Sequence, residues 1–153
     1  MKKIIISILC LVLFLFPVTV SANEPESEQS NSQPLLMVTD FSVDTGSITA
    51  GKNSKISVTL TNKHKTEEIK NIKVTFSAPD GSILPIKLDS VHIDSVEPQK
   101  TYVWNFGITT SETAASGNHS VTISMQYETK SGQVLSSSDN ITLNVIGKEI
   151  KEE

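Results

Sequence analysis

Apolar and polar residues alternate one by one through much of this chain. In Ile56-Ser57-Val58-Thr59-Leu60-Thr61 the alternation is strict, so Ile56, Val58 and Leu60 share one face and the hydroxyl side chains the other. That is the pattern of a strand with one buried face. Ile72, Val74 and Phe76 repeat the period, as do Tyr102, Trp104 and Phe106, then Val121, Ile123, Met125 and Tyr127, and lastly Ile141, Leu143 and Val145. Trp104 and Phe106 are predicted to lie together on the core side. Leu36, Val38 and Phe41 to Val43 suggest a first strand, Val91, Ile93 and Val96 a middle one, and Val134-Leu135 a further one after the Ser131-Gly132 turn. Ile83-Leu84-Pro85-Ile86 reads as a broken edge strand, because Pro85 has no N–H to give a ladder. Pro79-Asp80-Gly81 is turn chemistry. With no helical period between them, seven or eight strands over residues 35–147 predict an all-β fold, an immunoglobulin-like or fibronectin-type antiparallel β-sandwich.

Upstream the texture differs. Lys2-Lys3, an apolar run from Ile4 to Val18 and the exit Val20-Ser21-Ala22 read as a secretory signal peptide over residues 1–22, with cleavage predicted before Asn23. Retention as a membrane anchor is the competing reading; the run is short for a span, which needs about 20 apolar residues, and Pro17 interrupts it. A lipoprotein signal would place a small residue ahead of its cysteine, whereas Ile8-Leu9 precede Cys10 inside the apolar run. Loss of Cys10 with the signal leaves a domain with no disulfide, so its stability must come from its core. Residues 23–34 are Glu, Ser, Asn, Gln and Pro, a flexible acidic linker, and residues 148–153 form a charged tail. No second apolar stretch long enough for a span follows the domain.

Charge narrows the partners. Without Lys2 and Lys3, eleven lysines face seventeen acidic side chains, a formal charge of −6, and arginine is absent. An acidic chain lacking the bidentate reader of phosphates is a poor match for nucleic acid or an anionic membrane surface. The missing arginine and the short Lys-Lys signal suggest a bacterial source, in which the formal glycosylation sequons Asn118-His119-Ser120 and Asn140-Ile141-Thr142 are expected to be plain strand-edge and turn residues.

The run from Leu36 to Asn62, with its aspartate-aromatic strand, Gly46 turn, Ala50-Gly51-Lys52 and the strict alternation after it, resembles bacterial CARDB-type domains, named for a suspected role in cell adhesion, and related immunoglobulin-like surface and S-layer-associated modules. Ile69 to Phe76, Glu97-Pro98-Gln99-Lys100, Ala114 to Val121 and Tyr127 to Gly132 carry it onward, so it covers Leu35 to Ile146. The resemblance implies a scaffold without a catalytic motif to transfer; its matching positions are turns and strand faces.

Candidate chemistry is sparse. His64 sits in Lys63-His64-Lys65, His92 alternates with Val91 and Ile93, and His119 follows Gly117-Asn118; each is expected at the surface. No nucleophile with a base partner, no zinc-ligand cluster and no glycosidase-like carboxylate pair stands out, Glu67-Glu68 being adjacent in a polar loop. Calcium would need several of Asp40, Asp44, Asp80, Asp89, Asp94 and Asp139 to converge from strand ends. Sugar stacking would need exposed aromatics, and only Tyr102 and Tyr127 qualify. The expectation is therefore a secreted, non-enzymatic β-sandwich without cofactor, catalytic or metal site, mediating protein or cell-surface interaction in a bacterial envelope. A sheet edge or the polar loops 63–70 and 110–118 would do the binding. A carbohydrate-binding module and an accessory subunit of an envelope transporter or export system are the alternatives.

Overall fold

The computed structural model describes residues 35–148, and every regular element among them is a strand. The predicted signal peptide, the linker and residues 149–153 lie outside the described residues. In chain order the strands are β1 (Leu36–Val43), β2 (Ile48–Thr49), β3 (Asn53–Asn62), β4 (Ile69–Ser77), β5 (Ile83–Pro85), β6 (Ser90–Val96), β7 (Thr101–Thr110), β8 (Gly117–Glu128) and β9 (Val134–Ile146). They form a four-stranded sheet in the order β1-β3-β7-β5 and a five-stranded sheet in the order β2-β9-β8-β4-β6. All pairings are antiparallel except that of β2 with β9, which is parallel.

The all-β sandwich read from the alternation is the observed fold, now with nine strands among the described residues. β2 is only two residues long, too short to show a period. Val134-Leu135 and Ile141 to Val145 belong to one strand, because Ser136 to Asn140 stay paired with β8 although they carry no apolar row.

The apolar rows meet between the sheets. Ile56, Val58 and Leu60 of β3 are fully buried, opposite in register to Phe106, Trp104 and Tyr102 of β7. From the other sheet come Val74 and Phe76 of β4, Val121, Ile123, Met125 and Tyr127 of β8, and Ile141, Leu143 and Val145 of β9, all buried. Phe76 meets Phe106 across the interior, edge to face, with ring centroids 5.2 Å apart, and Phe106 stacks on Trp104 at 4.2 Å.

One departure from strict alternation has a backbone cause. Ile69 and Ile72 are both fully buried although three residues apart, a spacing that would put them on opposite faces of a regular strand. Asn71 between them takes a left-handed conformation (φ 49°) at a register shift against β8, which turns both isoleucines inward. Asparagine tolerates that conformation better than most residues.

The two lateral seams of the sandwich close differently. On one side β1 leans toward β9, where the Val38 N–H donates to Asp139 Oδ2 at 2.8 Å and Ser137 Oγ donates to the Leu36 carbonyl at 3.0 Å, and Leu35 just before β1 donates its N–H to the hydroxyl of Tyr127 on β8 at 3.0 Å. On the other side the chain leaves β5 after Pro85 and crosses to the opposite sheet through Lys87 to Asp89.

Because Ile123 is fully buried and Ser124 faces solvent on the same strand, Ile123→Ala is expected to cost about 2–5 kcal/mol. Ser124→Ala should stay within about 0.5 kcal/mol of the parent. Urea unfolding of the two variants checks the inward assignment of the β8 row.

Candidate functional site

The polar loops predicted to bind lie at opposite ends of the sandwich, since one follows β3 and the other follows β7, its antiparallel neighbour. At the first end Asn62 is completely buried and acts as a knot. Its Nδ2 donates to the Glu67 carbonyl at 2.8 Å and the Val96 carbonyl at 2.9 Å, and its Oδ1 accepts from the His64 N–H at 3.0 Å. Its backbone N–H donates to the Lys100 carbonyl, and its carbonyl accepts from the Gln99 N–H. Gln99 Nε2 in turn donates to the carbonyls of Lys63 and His64. His64 Nδ1 accepts the Glu67 N–H at 2.8 Å, so this half-buried ring caps its own loop. The 63–70 segment is thus fastened to the β6–β7 turn, and Glu67 further accepts the Lys130 N–H.

At the far end stand Asp80, Ser82 and His119. Gly81, with φ at 67°, closes the turn after Pro79 and lets Asp80 face the start of β8. His119, expected at the surface, keeps only 12% of its side chain exposed. Its Nδ1 lies 2.7 Å from Asp80 Oδ2 and 3.0 Å from Ser82 Oγ, and its Nε2 lies 2.9 Å from the Ala115 carbonyl. The residue types are those of a hydrolytic triad and the geometry is not. A relay needs the acid on one ring nitrogen and the serine on the other, whereas here both sit at Nδ1 and Nε2 is spent on a backbone oxygen.

With acceptors at both nitrogens the ring favours its charged form. The Ala115 carbonyl first, then the Asp80 carboxylate, raise the His119 pKa above 6.5. The Ser82 N–H first, then His119, lower Asp80 to about 2. The group is an ionic clamp joining the β4–β5 turn to the 111–116 loop. That loop is fastened elsewhere too: the Ser111 N–H donates to the Ser82 carbonyl, the Gly147 N–H to Ser116 Oγ, and Lys148 pairs with Glu112.

The remaining candidates do not come together. Asp44 accepts the Lys55 N–H, Asp80 holds His119, Asp139 holds Val38, Asp40 lies opposite Thr59 on the outer face of its sheet, and Asp94 lies near His92 on exposed β6. Asp89, at the start of the β6 side, gives its carbonyl to the Phe76 N–H. Among the described residues no three His, Cys, Asp or Glu side chains cluster as metal ligands. Tyr127 is 1% exposed, its hydroxyl turned to β1, so it offers no stacking platform; Tyr102 is half-buried against the core. His92 is exposed on an edge strand, as the alternation predicts.

Two surfaces are left. The outward face of β8 and β9 pairs Asn118 with Asn144, Ser120 with Thr142, Thr122 with Asn140, Ser124 with Ser138 and Gln126 with Ser136, a flat neutral ladder. The second is the seam beside β5, where a groove of about 540 Å³ opens between Leu88, Val91, Trp104 and Phe106. Sequence periodicity located neither His119's partners nor this groove, since both depend on which strand ends the topology brings together.

Among solved structures, the sandwich resembles α2-macroglobulin from Escherichia coli, at 10% identity and a TM-score of 0.54, over 72% of this chain. A fragment of that protein from its MG7 domain to the C-terminus gives 11% identity and the same TM-score over 73% of this chain. The chain spans only 7% of the first and 16% of the second. A cohesin module from a Clostridium perfringens family 33 glycoside hydrolase matches at 7% identity and a TM-score of 0.50, over 72% of this chain and 98% of the module. These likenesses support an immunoglobulin-like sandwich fold. No curated protein sequence matches the chain. Residues 48–128 match the family model described as NPCBM-associated, NEW3 domain of alpha-galactosidase, where the sequence suggested the CARDB type.

Asn62→Ala strips partners from buried backbone groups at one end and is expected to cost about 1–3 kcal/mol in urea unfolding. The clamp at the other end gives a pH signature. His119 is raised, so its contribution is full below about 6.5 and fades as pH rises through the higher folded value. Asp80 is lowered, so its share is present above 3.8 and fades as pH falls toward about 2. The stability difference between the parent and His119→Ala should therefore be larger at mildly acidic pH than in alkali; an equal difference at both would contradict the clamp.

Proposed function

The chain belongs to the NPCBM-associated, NEW3 domain family, and from that premise we propose that it is an exported, non-catalytic module that binds a protein partner in the bacterial cell envelope. The observation that carries this reading is the commitment of its reactive side chains. Both nitrogens of His119, Nδ1 of His64 and the carboxylates of Asp44, Asp80 and Asp139 are held by neighbours within the fold. What they leave available is surface. The signal-peptide reading of residues 1–22 supports export, and among the described residues no helix is long and apolar enough to cross a membrane. An adhesion role of the CARDB kind is one form this binding could take.

Glycan binding is the second reading, favoured by the family's description as a domain of alpha-galactosidase. Against it stands the burial of Tyr127, which leaves half-buried Tyr102 as the one remaining tyrosine for stacking on a sugar ring.

Affinity capture from envelope extracts, run beside sedimentation with insoluble polysaccharides and cell-wall material, separates the two. The proposal expects one protein recovered in near-stoichiometric yield and no sedimentation with glycan. Sedimentation with glycan that Tyr102→Ala abolishes, without protein capture, would replace it with the carbohydrate reading.

A further inference from the structure

We propose that the unpaired edge of β7, from Thr101 to Asn105, captures an extended segment of another polypeptide as an added strand, with that segment's apolar side chains seated in the groove beside Trp104. The proposal rests on the reading of the domain as a protein-binding module and names where and how it binds.

The edge is identified by backbone direction. In β7 the residues that face β5 are the odd-numbered ones: Gly107 accepts the Ile86 N–H at 2.9 Å, and the Ser111 N–H just beyond the strand donates to Ser82. Thr110, between them, bonds instead on the β3 side, to Lys52 and Gly51. By the same alternation the N–H and C=O groups of Thr101, Val103 and Asn105 point out of the sheet. β5 covers only Ile108 to Thr110, so among the described residues these three have no backbone partner on that side. A strand entering there would continue the line β5 abandons at Pro85.

The other edges are guarded in the ways sheets commonly are. β1 carries a register shift and is tied to β9 by Asp139 and Ser137, β2 is two residues long, β5 holds Pro85, and β6 displays His92 and Asp94. The exposed stretch of β7 displays Thr101, Val103 and Asn105, with no charge, bulge or proline. Large apolar side chains lie along or next to it: Ile86 is 47% exposed, Leu88 74% and Val103 47%.

The occupant's character follows from both faces of the edge. Residues of an added strand alternate in direction. Those turned inward would meet the groove of about 540 Å³ walled by Leu88, Val91, Trp104 and Phe106, so they are apolar. Those turned outward would lie by Asn105 and Ile86, next to a second groove of about 690 Å³ that holds both Lys55 and Asp44 and so has no net charge preference. Lys87, which lines the first groove, is exposed and forms no ion pair among the described residues. On a chain otherwise rich in acids it favours a segment with an acidic residue at its flank. Main-chain bonds would supply affinity and the alternate side chains selectivity.

The test uses the purified, isotope-labelled protein and a short synthetic peptide alternating valine with threonine, capped by glutamate at both ends. Before addition, the amides of Val103 and Asn105 should exchange quickly with solvent and those of Trp104 and Phe106 slowly. The peptide should then protect Val103 and Asn105, and N-methylation of its edge-facing amides should weaken binding about tenfold or more. Lys87→Glu, at an exposed position, should weaken it as well. Absence of binding at millimolar peptide, indifference to N-methylation, or perturbation confined to the β8–β9 face would each overturn the assignment. If an envelope protein is captured but the peptide does not compete with it, the edge is wrong and the binding-module reading stands. If the peptide protects the edge while no envelope protein is captured, the edge stands and that reading falls.

Discussion

The contact that joins the two sheets most specifically is the aromatic junction of Phe76, Phe106 and Trp104. It spans the interior from β4 to β7 beside the seam that no strand closes among the described residues. On the opposite seam, hydrogen bonds with Asp139 and Ser137 of β9 and Tyr127 of β8 hold β1 and the residue before it to the other sheet. Near β5 the sheets depend on ring packing, worth about 0.5–1.5 kcal/mol per pair beyond the apolar area it buries. Trp104 and Phe106 also form a wall of the groove, so the feature that holds the sandwich together here shapes an open apolar surface as well. A domain without a described disulfide has few other means of fixing that side.

Polar groups do different work at the two ends. Asn62 ties the end of β3 to the 63–70 loop and to β6 with a neutral side chain whose donors and acceptor are all used, which makes the first end insensitive to protonation of the knot itself. The second end relies on an ion pair between Asp80 and His119, whose strength depends on both charges being present. In each case the residue types that suggest chemistry are consumed in holding a loop. Loops 63–70 and 110–118, attractive as binding elements because they are polar and long, are instead fastened to their surroundings. That shifts attention from the ends of the sandwich to its side.

The architecture was largely legible because a two-residue period has one physical cause, a strand with one wet and one buried face. Ile56 to Thr61 and Val121 to Tyr127 declare themselves in this way, and Pro85 declares an edge. The period fails where the backbone departs from regular geometry, as at Asn71, or where a strand has no apolar row, as in Ser136 to Asn140. Long-range polar pairs left no local mark at all. Nothing around His119 in the chain announces Asp80 thirty-nine positions earlier, and Asn62 reads as an ordinary residue at a strand end. The edge of β7 left unpaired among the described residues was equally hidden, since a sequence shows which residues form a strand and not where its neighbour stops.

Trp104 is the only tryptophan in the chain and is 6% exposed at the aromatic junction, so its emission reports directly on whether the sheets are joined there. Urea unfolding followed in parallel by Trp104 fluorescence and far-ultraviolet circular dichroism is the most direct test. A blue-shifted native emission, poorly quenched by acrylamide, with both signals lost in a single coincident transition, is the predicted result. Solvent-like emission from the native protein, or loss of the tryptophan signal well before the strands unfold, would contradict a sandwich held together at this junction.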